Sequence, residues 1–312
     1  MTAAVRLGSV LDPIRRDPVL GGVQLGGREL LARGRALARS VTVGPNPFLD
    51  LHGVASELAF KRRTMAEGRI AFHAQIGYRS LDDSRRAYAE VHDRLAATGA
   101  APDRYGICLD WSMGFARADR PGRPRGTGLI LDRPEDFAAL TAMAPVAPHF
   151  GDFVLGMPAA VENTSAAIAA GSTTIGNLAQ YFTFRLPGFS DDVATTAATV
   201  EALGLIAGQD REMLVHSNLD DGYAAWFEDM ASALGFAMVE RWIVEDLIGV
   251  PLGHCFGHTY SDPVKRFAFH VALAEVCPTP GTMLYGNTTI YGADPARNFG
   301  AMASYGLVDL AA

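Results

Sequence analysis

The sequence is poor in cysteine, almost without lysine, and carries no long apolar run. Its three cysteines, Cys108, Cys255 and Cys277, are odd in number and widely spaced. They make neither a disulfide framework nor a Cys-x-x-Cys metal knuckle, which favours a reducing, cytoplasmic compartment. No apolar stretch approaches the roughly 18 residues that a membrane-spanning helix needs. Residues 1–40 lack the continuous apolar segment of a secretory leader. No Gly-x-Gly-x-x-Gly follows the first strand-like run, which argues against a dinucleotide fold. The absence of Gly-x-x-x-x-Gly-Lys-Ser/Thr argues against nucleotide hydrolysis, and there is no Gly-x-Ser-x-Gly nucleophile elbow. A net charge of −7 disfavours nucleic acid, whose partners concentrate Lys and Arg.

What is present is an ordinary globular composition. The 312 residues are 49% hydrophobic and 20% charged, enough for one large α/β domain with a sizeable core. Only Lys61 and Lys265 are lysine, so arginine carries nearly all the positive charge. Residues 1–40 hold seven arginines against Asp12, Asp17 and Glu29. This predicts an N-terminal arm over residues 1–45, partly ordered, that packs on the body or on a partner, with residues 46–312 forming the catalytic domain.

After Pro45-Asn46-Pro47 the chain alternates short β-like runs with amphipathic stretches of helical length. Strands are predicted at 69–75, 105–110, 152–155, 172–176, 213–217, 236–240, 251–256 and 282–287, with a minor one at 129–131. Helices are predicted at 82–97, from 134, at 158–171, 191–208, 223–234, 242–248 and 262–276, and from 294. Such alternation implies a parallel sheet. Eight or nine strand candidates, and polar residues gathered just after strand after strand, favour a TIM (β/α)8 barrel. The expected barrel is incomplete or is closed by the N-terminal arm.

Those post-strand residues are the candidate site. They include His73, Gln75 and Arg79; Asp110 and Trp111, with Arg117 further along; His149 and Asp152; Asn177, Tyr181 and Arg185; His216 and Asn218; His254 and His258; Tyr285 and Asn287. A single polar residue at a strand end is usually solvated or a cap, whereas a ring of them is what a closed polar pocket requires. His254 and His258 stand four apart, a spacing that can chelate zinc on a helix. Here they sit on a strand end and a Gly turn, where hydrogen bonding from neutral imidazole is the other reading. Asp262 beside Pro263 reads as an N-cap. Arg185, within Tyr181-Phe182-Thr183-Phe184-Arg185, is either an exposed residue of a core strand or a fork that grips a carboxylate. Asp110 either orients a substrate amine or caps a turn.

The stretches AAVENTSAAIAAGSTTIGNLAQYFTFR (159–185), VHSNLDDG (215–222) and GHCFGHTYSDP (253–263) carry a resemblance. From about residue 68 onward the chain resembles the larger, catalytic subunit of coenzyme-B12-dependent glutamate mutase (methylaspartate mutase), in its shorter actinobacterial form. The resemblance implies a TIM barrel and a radical carbon-skeleton rearrangement of an amino acid or related acid, with adenosylcobalamin shared with a small flavodoxin-like subunit. It implies catalytic roles for Arg117, Asn177, Tyr181, Arg185, His216 and Asp110, and substrate contacts from His73, Gln75, Arg79 and His149. Cofactor contacts fall to His254, His258, Asn218, Asn287 and Tyr285. The small subunit's cobalt-ligating signature is Asp-x-His-x-x-Gly, whereas Asp50-Leu51-His52 here is followed by Gly53-Val54-Ala55. The resemblance therefore implies a separate cobalamin-binding partner within an oligomer.

The departures bear on the substrate. Arg117 matches one of the family's carboxylate-clamping arginines. The first strand ends Gln75-Ile76-Gly77 with Arg79 slightly later, and Val154-Leu155-Gly156 holds no arginine. The family's amine-contacting glutamate falls near Gly176 or Asn177. Two other functions stand beside the mutase: a cobalamin-independent barrel lyase or hydrolase using His216, His254 and His258, and a non-catalytic subunit descended from the enzyme.

Overall fold

The computed structural model describes residues 25–219, 229–256, 263–284 and 292–311. Among the described residues three helices precede the first strand: α1 (Gly27–Leu37), α2 (Pro47–His52) and α3 (Glu57–Ala66). Asn46 caps α2 by accepting from the Phe48 and Leu49 amides, Pro47 fits its first turn, and Gly53 closes it at φ 60°. Ser56 caps α3 by accepting from the Ala59 amide. The chain then runs β1 (His73–Ile76), α4 (Leu81–Ala96), β2 (Arg104–Ile107), α5 (Pro134–Thr141), β3 (Ala147–Phe150), α6 (Ala160–Ala169) and β4 (Thr174–Ile175). It continues α7 (Gln180–Thr183), α8 (Asp192–Ala207), β5 (Leu214–Asn218), α9 (Met230–Arg241), β6 (Leu252–Phe256), α10 (Pro263–Val276), β7 (Met283–Leu284) and α11 (Pro295–Ala311).

The described strands pair in parallel, and within each sheet neighbours follow chain order. Among the described residues they form two sheets, β1–β2–β3 and β4–β5–β6–β7. Between the sheets the Ser172 hydroxyl donates to Pro148 O at 3.1 Å, and the Leu155 amide donates to Gly176 O at 3.0 Å. Register places His73 beside Arg104 and Ala147, and Gln75 beside Gly106 and His149. Helices cover the outer faces, and Phe137, Phe150, Ile175, Leu205, Val215 and Leu252 fill the space between with almost no exposure. Burying one such side chain contributes about 1.5–3 kcal/mol.

Helix α1 packs against α8, while residues 1–24 of the expected arm lie outside the described residues. A Cβ at Gly34 of α1 would stand 2.0 Å from Glu201 O of α8, and one at Gly204 would stand 2.5 Å from Leu31 O. Glycine thus lets the two helix backbones touch.

Several predicted elements are corrected. The third strand is Ala147–Phe150, so His149 lies inside it; residues 152–155 form a turn, where Phe153 takes φ 58° and Gly156 φ 75°. Residues 236–240 belong to helix α9, which Asp229 caps and which runs on into a π-helical turn, Trp242–Ile248. Its Ala233, Ala237 and Glu240 share the buried face at helical spacing. The minor strand at 129–131 is a single bridge from Leu129 to Leu109. Tyr181 and its aromatic neighbours begin a short helix, not a core strand.

Candidate functional site

Three imidazoles, on β1, β3 and β5, pack into space left by glycines. A Cβ at Gly106 would fall 2.5 Å from His73 Nε2, one at Gly151 would fall 2.4 Å from His149 Nε2, and one at Gly176 would fall 2.9 Å from His216 Nδ1. The His149 and His216 rings meet edge to face, centroids 4.8 Å apart, and His73 stands 6.3 Å from His149. Gln75, His149, Asp152, Asn177 and His216 line one narrow cavity of about 10 Å3, room for a single water molecule. Its lining comes from the second halves of β1, β2 and β3, the middle of β5 and the residues just after β3 and β4, near the strand ends where the chemistry of parallel α/β proteins gathers. Residues 220–228, 257–262 and 285–291, which follow β5, β6 and β7, lie outside the described residues.

Beneath this layer sits an ionic plug. Helix α3 reaches under the strands, and its Glu57 carboxylate pairs with Arg104 Nε of β2 at 2.9 Å and with Lys61 Nζ at 3.2 Å. All three side chains are buried, none more than 12% exposed. Lys61 also donates to Gly281 O at 3.2 Å, the Glu57 amide donates to Thr173 Oγ1 at 2.9 Å, and Ser56 donates to Glu212 Oε2 at 3.1 Å. One helix thereby ties down the amino ends of β2, β4, β5 and β7.

The electrostatics follow from that arrangement. Burial pushes the His149 and His216 pKa values well below the usual imidazole range, and the Arg104 charge pushes the same way. Burial and Arg104 take His73 down to about 3. All three rings are therefore neutral at pH 7. Burial also lowers Lys61 to about 8, against the pull of Glu57. Burial would raise Glu57, but Arg104 and Lys61 outweigh it and hold the carboxylate ionised. His73 Nδ1, His149 Nδ1 and both His216 ring nitrogens are buried without a hydrogen-bond partner among the described residues. Buried polar atoms in native folds are almost always satisfied, so these nitrogens point to a ligand or bound water.

The predicted residues separate into two sets. Gln75, His149, Asn177 and His216 meet at the cavity, His73 adjoins it, and Asn218 donates its amide to Asn177 Oδ1 at 2.7 Å. The arginines do not converge there. Arg79 is exposed and donates to Gly126 O at 2.8 Å; Arg117 is exposed, its amide donating to Glu162 Oε2 at 2.9 Å. Arg185 donates to Tyr181 O at 3.0 Å and pairs with Asp192 at 3.4 Å, its side chain 58% exposed. Tyr181 shares a 2.8 Å hydrogen bond with Thr196. Asp110 is the cap of the turn Trp111–Gly114, accepting from the Ser112 amide at 3.0 Å.

His254 is a correction. Its register partner is Ser217, not His216, so it lies on the opposite face of the sheet. There Glu240 of α9 accepts from the Ser217 hydroxyl at 2.7 Å and pairs with His254 Nε2 at 3.3 Å. Burial disfavours the charge on His254, but hydrogen bonds with Cys277 and Glu240 outweigh it and raise the pKa to about 9. His258, Tyr285 and Asn287 lie outside the described residues. No group of three or more His, Cys, Asp or Glu among the described residues is arranged to hold a metal ion.

Glu57, Lys61 and Arg104 escaped sequence reasoning. Their signal was present: the Glu57–Lys61 spacing of four and an arginine opening an apolar strand. No protein-family model matches this chain, and no curated protein matches it.

Proposed function

We propose that this chain is the barrel subunit of an adenosylcobalamin-dependent carbon-skeleton mutase acting on a small amino or carboxylic acid. The observation that carries the reading is the convergence of Gln75, His149, Asn177 and His216 on one cavity at the carboxyl ends of parallel strands. The plug supports a barrel closed around a single axis, because α3 bonds to strands of both sheets. The sequence resemblance supports the reaction class.

The residues fit the substrate end of such a site. Cobalamin, bound by a partner, supplies the radical chemistry. This chain offers no cobalt ligand from its Asp50-Leu51-His52 run: the His52 ring is packed between Phe48 and Phe60, with centroids at 4.5 and 4.7 Å. Its own residues bind and orient. Neutral His149 and His216 present unpartnered nitrogens to a polar ligand, the Gln75 and Asn177 amides flank them, and Asp152 places a carboxylate at the rim that suits an ammonium. Since Arg79, Arg117 and Arg185 face elsewhere, the family's carboxylate clamp is not the means of grip. The second reading is a cobalamin-independent lyase or hydrolase that uses the histidine cluster, supported by the meeting of His73, His149 and His216.

Visible absorbance of cobalamin, taken with and without a small subunit bearing Asp-x-His-x-x-Gly, separates the two. The mutase predicts a spectral change from histidine ligation to cobalt that needs both chains. Binding that ignores this chain, or turnover without cobalamin, would favour the lyase.

A further inference from the structure

Eleven of the eighteen large apolar side chains exposed among the described residues lie on α9, its π-helical turn, α10 and α11. Helix α11 is the extreme case. Phe299, Met302, Ala303, Gly306, Leu307 and Leu310 recur at helical spacing along one exposed face, the four large ones between 51% and 76% exposed. The other side of α11 packs on α10. There Asp309 accepts two hydrogen bonds from buried Arg266, at 2.7 and 2.8 Å, and the Arg266 guanidinium lies over the Tyr305 ring at 5.1 Å. Neighbouring α10 exposes Val264, Phe267 and Val271 as well. We propose that this face is the contact surface for a second copy of the chain, the α11 stripe of each copy meeting the other across a two-fold axis at mid-helix.

The area suits a dimer. The seven large side chains of α10 and α11 leave about 700 Å2 of apolar surface open, above the roughly 300–600 Å2 of the largest patch on an ordinary monomer. Two such faces together bury about 1,400 Å2, within the roughly 1,200–2,000 Å2 of a specific interface. The order of residues is itself two-fold. An axis between Ser304 and Tyr305 sets Phe299 against Leu310, Met302 against Leu307 and Ala303 against Gly306 of the second copy. Large side chains then meet at both ends and small ones at the crossing. The stripe has no ionisable residue, so the axis brings no like charges together within it. A glycine inside a helix costs stability relative to alanine. Yet a Cβ at Gly306 would meet nothing within 4 Å, whereas at Gly34 and Gly204 the missing Cβ lets α1 and α8 touch. A second α11 backbone supplies at Gly306 the close approach that this chain does not. An unrelated apolar partner has no use for the two-fold order.

The test is the mass of the full chain in solution, by sedimentation velocity and light scattering, over concentrations on the order of 1 to 100 μM. The wild type is expected to reach twice its 33.2 kDa at the upper end. Met302→Glu and Leu307→Glu, both at exposed positions, place a carboxylate in the apolar contact, and each weakens association about tenfold or more while circular dichroism stays native. Gly306→Leu meets no atom of its own chain and favours the helix, but it holds the two backbones apart and weakens the dimer to a similar extent. It decides the matter if a glutamate variant does not fold. A full chain that stays monomeric throughout overturns the proposal, as does a dimer that all the folded variants leave intact. A monomer that instead loses a small Asp-x-His-x-x-Gly subunit on Met302→Glu gives the stripe to that partner and overturns it too. The mass of the chain alone involves neither cobalamin nor substrate, so this inference and the mutase reading fail separately.

Discussion

Folded stability is expected to peak near pH 6.5 and to collapse within about two pH units on the acid side. His73, His149 and His216 have pKa values lowered in the fold, His73 to about 3, whereas in the unfolded chain an imidazole titrates near 6.5. Below that value the unfolded chain takes up protons that the native rings refuse. Their stabilisation is thus complete above about pH 6.5 and is lost as pH falls, at up to ~1.4 kcal/mol per unit for each ring and about 4 kcal/mol for the three. A domain with a net stability of roughly 5–15 kcal/mol does not survive that slope for long. On the alkaline side the sign reverses for His254, whose raised pKa of about 9 gives stability that is complete below 6.5 and fades upward. The loss reaches about 2 kcal/mol by pH 8. Above pH 8 Lys61 acts the other way, because its pKa is lowered in the fold. Thermal unfolding followed by circular dichroism from pH 4.5 to 8 checks this. A midpoint that stays flat from pH 7 to 5 would contradict the neutral-histidine interior.

Replacing Glu57 by glutamine is expected to cost about 3–5 kcal/mol at pH 7, because it leaves Arg104 and Lys61 buried with no anion between them. For a chain of this size that lowers the thermal midpoint by about 5–8 °C. Lys61→Met costs less, since Glu57 keeps Arg104. The penalty of Glu57→Gln shrinks at pH 9, where Lys61 relieves the repulsion by losing its proton. Denaturant unfolding with an unchanged slope measures it. A Glu57→Gln protein within 1 kcal/mol of wild type at pH 7 would show that the plug is solvated and does not act as a buried ion cluster.

Much of the architecture was legible because its signals are local. Ser80 with Asp82 and Asp83 marks the start of α4, and Asp191 marks α8. Parallel alternation was legible for the same reason, and it led to the strand ends where Gln75, His149, Asn177 and His216 do meet. The failures have physical causes. Residues 236–240 are a short apolar run, which periodicity alone cannot divide between strand and helix. The arginines misled because a long side chain at a strand end can turn outward to a backbone carbonyl, as Arg79 does toward Gly126. His254 misled because one residue of register moves a side chain to the other face of a sheet. The plug was hidden because buried charge is rare and is created by tertiary pairing between residues 47 positions apart in the chain, Glu57 and Arg104. The space at Gly106, Gly151 and Gly176 becomes visible only once the rings beside them are placed.

The central claim is that ligand docks against the residues that line the imidazole cavity and not on the outer arginines. The direct measurement is backbone-amide and imidazole NMR of the full chain, alone and with a cobalamin-loaded small subunit bearing Asp-x-His-x-x-Gly, during titration with glutamate and other small carboxylic acids. The account predicts shifts confined to Gln75, Gly151, Asn177 and the rings of His149 and His216. Shifts centred on Arg79, Arg117 and Arg185, with the cavity silent, would contradict it.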